Sequence, residues 1–272
     1  SDWLFEAQPL KIWLTSKYDL PILGNTIFQM DWVHLFFSWS GMFYDLLIPF
    51  VLLSSRLRWL GYLAVIGFHL MTWFLFQIGM FPFIMIGATL IFFSADFHHT
   101  IHSFLGGRVK LSDYSRKSTY LSKPVLIAVS LFICVQIALP FRYLLYPGNM
   151  FWHEQGYRFG WRVMLAEKAG YAQFKVEDSE GRKILIDNSE FLTPVQEKMM
   201  STQPDFMIQY AQYLKAHYSN LGMDAAAVKA DVFVTLNGRA SAPFIDPNID
   251  LASQTDSWSH KQWILPQKSE QI

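Results

Sequence analysis

Between Trp32 and Ala95 the chain runs 64 residues with only three formal charges, Asp45, Arg56 and Arg58. A hydrocarbon core is roughly 30 Å thick, so a spanning helix needs about 20 apolar residues. Trp32–Leu53 and Trp59–Ile78 each reach that length. Met80–Phe93 is apolar but shorter, and suits a tilted, kinked or re-entrant segment. Pro124–Pro140 is the last apolar run, carried on to an aromatic edge by Phe141–Tyr146. The expected fold is a membrane α-helical bundle of about four spans over residues 1–146. A small extramembrane α+β domain with β-hairpins follows over 147–272.

Charge is distributed accordingly. The first 140 residues hold nine of the 22 Lys and Arg and seven of the 22 Asp and Glu; the rest of the chain is ordinary soluble sequence. Net charge is zero, which gives no bulk attraction to nucleic acid. The single cysteine, Cys134, lies in an apolar run and reads as a small hydrophobe. If all four runs cross, the loops 54–58 and 94–123 share one side and carry seven Lys or Arg between them. The positive-inside rule makes that side cytoplasmic and puts the segment after 146 in the lumen or periplasm. A re-entrant third run would split the two basic loops, so this consistency favours four crossings.

Before the first span, Trp3, Leu4, Leu10, Ile12, Trp13 and Leu14 alternate with Lys11 and Lys17, as in an amphipathic segment at a membrane surface. After the last, YAQFKVED (171–178) alternates apolar and polar, DSEG turns, and RKILID returns: a hairpin. Pro204 opens and Gly222 closes a helical pattern. DVFVTL, Asn237-Gly238 and SAPFIDP make a second hairpin, Asn-Gly being a strong turn signal.

Several residues could carry chemistry. Asp45 and His69 are ionisable groups within apolar spans, where such groups face a bundle interior or a functional cavity. A hydrogen bond that merely joins helices explains them equally well. QIGMFP (77–82) puts an amide, a glycine and a proline at membrane depth; a plain kink accounts for it. His98, His99 and His102 have ligand-like spacing, but this one cluster gives at most three ligands and the chain has no second histidine box, so a juxtamembrane loop is the default. No metal is therefore assigned. WHEQGYRFGWR (152–162) combines Trp152, Tyr157, Phe159 and Trp161 with His153, Glu154, Arg158 and Arg162. Spacing alone favours an interfacial aromatic belt, though charges among rigid aromatics also suit a ligand site. No nucleotide loop, HExxH, GxSxG or CxxC occurs.

FHLMTWFLFQIGMFPFIMIGATLIFFSADF (68–97) resembles the membrane module of the vitamin K-dependent γ-carboxylase family, the HTTM domain of its bacterial members. The resemblance continues through WHEQGYRFGWRVML, YAQFKVEDSEGRKILID, DVFVTLNGRASAPFIDPNIDL and SHKQWILP, in the order of the family's lumenal segment. It covers nearly the whole chain and is a colinear series of motifs. It implies a membrane enzyme, a carboxylase of the carbon–carbon lyase type. Such an enzyme couples epoxidation of reduced vitamin K, using oxygen, to addition of carbon dioxide at the γ-carbon of glutamate in a peptide or protein. It implies that His69 and Phe81 line the quinone pocket, with His69 the catalytic candidate. Asp45, singled out above as an intramembrane acid, is added to that pocket. Trp152, Tyr157 and Trp161 are implied to approach the glutamyl substrate. Arg162 is added by charge as a carboxylate partner; the vertebrate motif has an acid there.

There are departures. The family's general-base lysine sits just upstream of the pair that here is Asp2–Trp3, and this sequence begins at Ser1. The expectation is an N-terminally truncated chain, inactive by itself. The resemblance leaves the substrate of bacterial relatives open, and the vertebrate C-terminal extension has no counterpart in this tail. One alternative is a non-catalytic quinone- or lipid-binding membrane protein with an outward peptide-recognition domain. Another is a soluble protein with a very apolar core, against which two runs of 20 or more apolar residues weigh.

Overall fold

The computed structural model describes residues 2–76, 78–104, 122–160 and 162–267. The chain divides into two compact units whose main segments are Trp3–Leu121 and Ser122–Ile272.

The first unit is helical. Two short helices, α1 (Asp2–Phe5) and α2 (Leu10–Thr15), precede α3 (Asp31–Leu53) and α4 (Arg58–Leu75). The amphipathic segment expected at a membrane surface packs inward: Leu10 and Leu14 join Phe28, Val33 and Leu75 in a small core. Lys11 pairs with Asp31 at 2.6 Å, and the Trp3 indole N–H donates to the Ser38 carbonyl at 3.1 Å. Gly61 lets α3 and α4 approach closely, for a Cβ there would lie 2.9 Å from Val51 Cγ1. The outward faces of α3 and α4 expose Phe36, Phe50, Leu53, Leu63 and Trp73, as lipid-facing surfaces do.

After Gly79, in the left-handed conformation, come α5 (Phe81–Ala88) and a 3-10 turn to Phe92. Helix α6 (Ala95–Phe104) follows, and this pair is bent by 120°. Two helical segments, Asp31–Leu53 and Lys123–Leu145, are long and apolar enough to cross a membrane, or three if the bent pair is one span. Among the described residues that count stands at two or three, and the expected four spans are not confirmed. The expected run Trp59–Ile78 corresponds to α4, which is 18 residues long and ends at Leu75. His98, His99 and His102 are exposed on α6, the His98 ring meeting the Leu90 carbonyl at 3.1 Å. Gln77 and most of the basic loop, residues 105–121, lie outside the described residues.

The second unit begins with α7 (Lys123–Ala138), which a 3-10 stretch extends to Leu145. Almost every residue of α7 is exposed, and apolar residues surround it on all sides. A helix hydrophobic all round belongs in a core or a membrane. Helix α8 (Met150–His153) leads to β1 (Lys168–Asp178) and β2 (Lys183–Leu185). Helices α9 (Pro194–Met200) and α10 (Pro204–Asn220) separate them from β3 (Ala225–Leu236) and β4 (Ala242–Pro243). The sheet is four-stranded and antiparallel, in the order β2-β1-β3-β4.

Both expected hairpins are present, the second turning at Asn237 and Gly238, each with positive φ. Alternation places Ala172, Phe174 and Val176 of β1 with Val228, Ala230, Val232 and Val234 of β3 on one buried face. Met207, Ile208, Ala211 and Leu214 of α10 share that core. The opposite face carries ion pairs, Lys229–Glu177 at 2.6 Å and Lys183–Glu177 at 2.8 Å.

Candidate functional site

In the first unit His69 is the centre. It sits on the inner side of α4, 7% exposed, although it lies in an apolar helix. The α4 position that faces α3 brings its imidazole edge-on to Tyr44, with centroids 6.3 Å apart. Phe81, at the first turn of α5, meets it from another side at 6.2 Å. Tyr44 is itself stacked on Phe68 at 3.9 Å. A shallow apolar hollow of about 280 Å³ adjoins this cluster, lined by Tyr44, Leu47, Val51, Leu60 and Gly61 among others. Two sequence candidates, His69 and Phe81, are thus brought together. Asp45 is exposed on α3, and the α3 residue that touches the imidazole is its neighbour Tyr44. Tyr44 was not singled out in the sequence because its ring is one aromatic among many in an apolar run.

Aromatic faces around one buried imidazole fit a flat aromatic ring that carries oxygen. Stacked and edge-on contacts suit the ring, and an imidazole N–H suits a ring oxygen.

In the second unit the expected residues separate into a buried set and a set packed beside the end of the last apolar segment. Trp152 is buried in the core of the α+β unit, edge-on to Phe244 at 5.1 Å. Its indole N–H donates to the Leu265 carbonyl at 2.8 Å, which fastens the C-terminal segment to α8. Glu154, in the left-handed conformation, accepts from the buried Lys168 ammonium at 2.8 Å. Lys168 also donates to the carbonyls of Trp152 at 2.9 Å and Thr202 at 2.7 Å. Burial pulls the Lys168 pKa down, opposed by Glu154. The sequence did not mark Lys168, since a lysine at a strand start reads as solvated.

Tyr157 donates its hydroxyl to the Arg162 carbonyl at 2.8 Å. Burial, followed by the nearby Glu154, raises its pKa. The Arg162 guanidinium lies 4.4 Å over the Tyr143 ring, just beyond the last apolar helix. Gly156 permits this packing, because a Cβ there would come within 2.6 Å of the Tyr143 backbone. Arg158 pairs with Asp205. Trp161 lies outside the described residues.

A cavity of about 680 Å³ opens beside this set, between residues 147–155 and 260–267. Its walls include Trp152, His153, Gln155, His260 and Leu265. That volume lies within the roughly 300–1,000 Å³ typical of small-molecule sites. His153 Nδ1 accepts the Gln155 backbone N–H at 3.0 Å, so a neutral His153 carries its proton on Nε2. Burial lowers the His153 pKa to about 4, helped by His260 and Lys168 and opposed by the Pro147 and Gly148 carbonyls. The Gln155 side-chain oxygen accepts from the Lys261 backbone N–H and meets the His260 ring, each at 3.0 Å.

Comparison with known families follows the same division. Residues 1–97 match the HTTM domain. Residues 121–270 match the lumenal domain of vitamin K-dependent gamma-carboxylase. No solved structure matches the chain. The second match alone spans more than half of the sequence, and with the apolar helices it identifies an integral membrane protein. The chain belongs to the vitamin K-dependent gamma-carboxylase family.

Proposed function

We propose that this chain serves a membrane carboxylase that couples epoxidation of reduced vitamin K to carboxylation of glutamate side chains in a peptide or protein. The observation that carries the reading is the buried imidazole of His69, enclosed by Tyr44 and Phe81, in a chain of this family. The γ-carbon of glutamate is a very weak acid, so its proton leaves only to a strong base. Reduced vitamin K, if bound and oxygenated there, would supply that basicity. The residual electron pair at the γ-carbon forms the new bond to carbon dioxide.

Within that scheme His69 is assigned to hold and orient the quinone oxygen, and Phe81 and Tyr44 to wall its ring. Their task is also to keep water away, because water would quench a strong base before glutamate meets it. Asp45, exposed beside them, has a weaker claim to the pocket. Tyr157, Trp161 and Arg162 are assigned to the glutamyl substrate, Arg162 as a carboxylate partner. Trp152 is assigned a positioning role, which its burial supports. We place residues 1–146 with the membrane and 147–272 on its lumenal or periplasmic side.

The test is the longest natural product of the gene, in membranes, given reduced vitamin K, oxygen, labelled carbon dioxide and a glutamyl peptide. The reading expects label fixed in the peptide together with vitamin K epoxide, both lost in His69→Ala. Neither product in the unaltered protein would overturn it.

A further inference from the structure

The surface where the last apolar helix of the second unit ends combines features that the carboxylation chemistry does not use. Trp258 is 72% exposed in a loop far along the chain. Its carbonyl accepts the Tyr146 hydroxyl at 2.7 Å. The Arg142 guanidinium covers its ring at 4.8 Å. Arg142 lies in the last turn of the segment that ends at Leu145 and can cross a membrane, and Tyr146 directly follows it. The loop is therefore tied, by one hydrogen bond and one cation–π contact, to the point where that helix leaves the hydrocarbon.

Arg142 has no ion pair among the described residues, and its Nε is buried without a hydrogen-bond partner. A guanidinium stacked on tryptophan and lacking a carboxylate retains donors for a planar or tetrahedral anion. Leu144 and Leu145 beside it are exposed, as is Phe159 on the following segment. Exposed apolar side chains, a tryptophan and an unpaired arginine at the end of a span match the depth profile of a phospholipid leaflet: acyl chains, then interface, then phosphate.

We infer that the Trp258 loop is a membrane-interface anchor, seated among phospholipid headgroups, with Arg142 donating to a lipid phosphate. The occupant follows from continuity: this surface extends a helix already fitted to the bilayer. The anchor fixes the height of the α+β unit's C-terminal segment above the membrane. It rests on the membrane reading of residues 123–145 and is independent of any quinone chemistry.

The chain is reconstituted in nanodiscs with Cys134→Ala, so that one spin label can be placed at Ser259 with Trp258 intact. A second preparation carries the label at Glu180, in the β1–β2 turn. Collision with oxygen and with a water-soluble nickel chelate reports depth. The anchor predicts that the Ser259 label in phosphatidylcholine is shielded from the chelate relative to the Glu180 label. It also predicts that Arg142→Gln, or a phosphate-free galactolipid bilayer, restores much of the chelate access. Near-UV circular dichroism checks that each protein remains folded. Equal chelate access at both sites would overturn the anchor. A shielded Ser259 label indifferent to both Arg142→Gln and phosphate removal would overturn the role given to Arg142.

Discussion

His153 is the residue whose environment makes the sharpest demand on solution conditions. Its folded pKa is about 4, against an ordinary value of about 6.5. Between those values the unfolded chain takes up a proton that the folded chain refuses. Stability is therefore complete above the unfolded value and lost as pH falls toward the folded one. At about 1.4 kcal/mol per pH unit the loss is at most about 3 kcal/mol. Unfolding midpoints from about pH 7 to about pH 4.5 should fall more steeply for the natural chain than for His153→Gln. Parallel curves would mean that burial does not hold the ring neutral. Lys168 makes a different demand, for its ammonium is buried against Glu154 and two carbonyls. Glu154→Gln should destabilise by about 3–5 kcal/mol, as breaking a buried pair does. Adding Lys168→Met should recover much of that, because the uncompensated charge goes with it. Thermal unfolding of the single and double variants reads both effects.

At the scale of elements, close approach decides the helix pair that holds His69. Gly61 faces Val51 and Leu52 across that approach, whereas a Cβ at Gly67 on the same helix would meet nothing within 4 Å. Gly61→Leu should lower stability by about 1–3 kcal/mol through overpacking. Gly67→Leu should change it little, and melting temperatures in detergent compare the two. In the second unit, Thr193 and Gln196 form a reciprocal cap at the start of α9. Thr193→Ala should cost about 1 kcal/mol, measurable by chemical unfolding. The two hairpins were legible in the sequence because alternation and an Asn-Gly turn encode them locally. Helix α9 was not noticed, its cap being a short polar signal in a segment with little apolar periodicity. Apolar length in the sequence does not record where helices break, so two or three of the four expected spans appear as helices long and apolar enough to cross. Phe76 is extended and Gly79 left-handed, which ends α4, and the 120° bend divides the next run.

For the whole molecule, the sequence singled out the imidazole within an apolar run but not its companions. Which residues surround His69 depends on how α3 and α5 pack against α4, and no local pattern records that. Tyr44 was therefore missed, while Phe81 came from the family resemblance. The tryptophan at 152 was expected at a substrate surface, since composition alone does not distinguish a rigid aromatic that binds from one that holds the core. Its indole donates to the Leu265 carbonyl and its ring is buried in the core while also lining the adjacent cavity.

The central claim is that the membrane unit receives a naphthoquinone against His69. The most direct measurement is photocrosslinking of the chain in nanodiscs with a photoreactive naphthoquinone, followed by peptide mapping. The account predicts adducts on peptides containing Tyr44, His69 or Phe81, suppressed by excess vitamin K and by His69→Ala. Adducts scattered over lipid-facing residues such as Phe50 and Leu63, and unaffected by competitor, would contradict it.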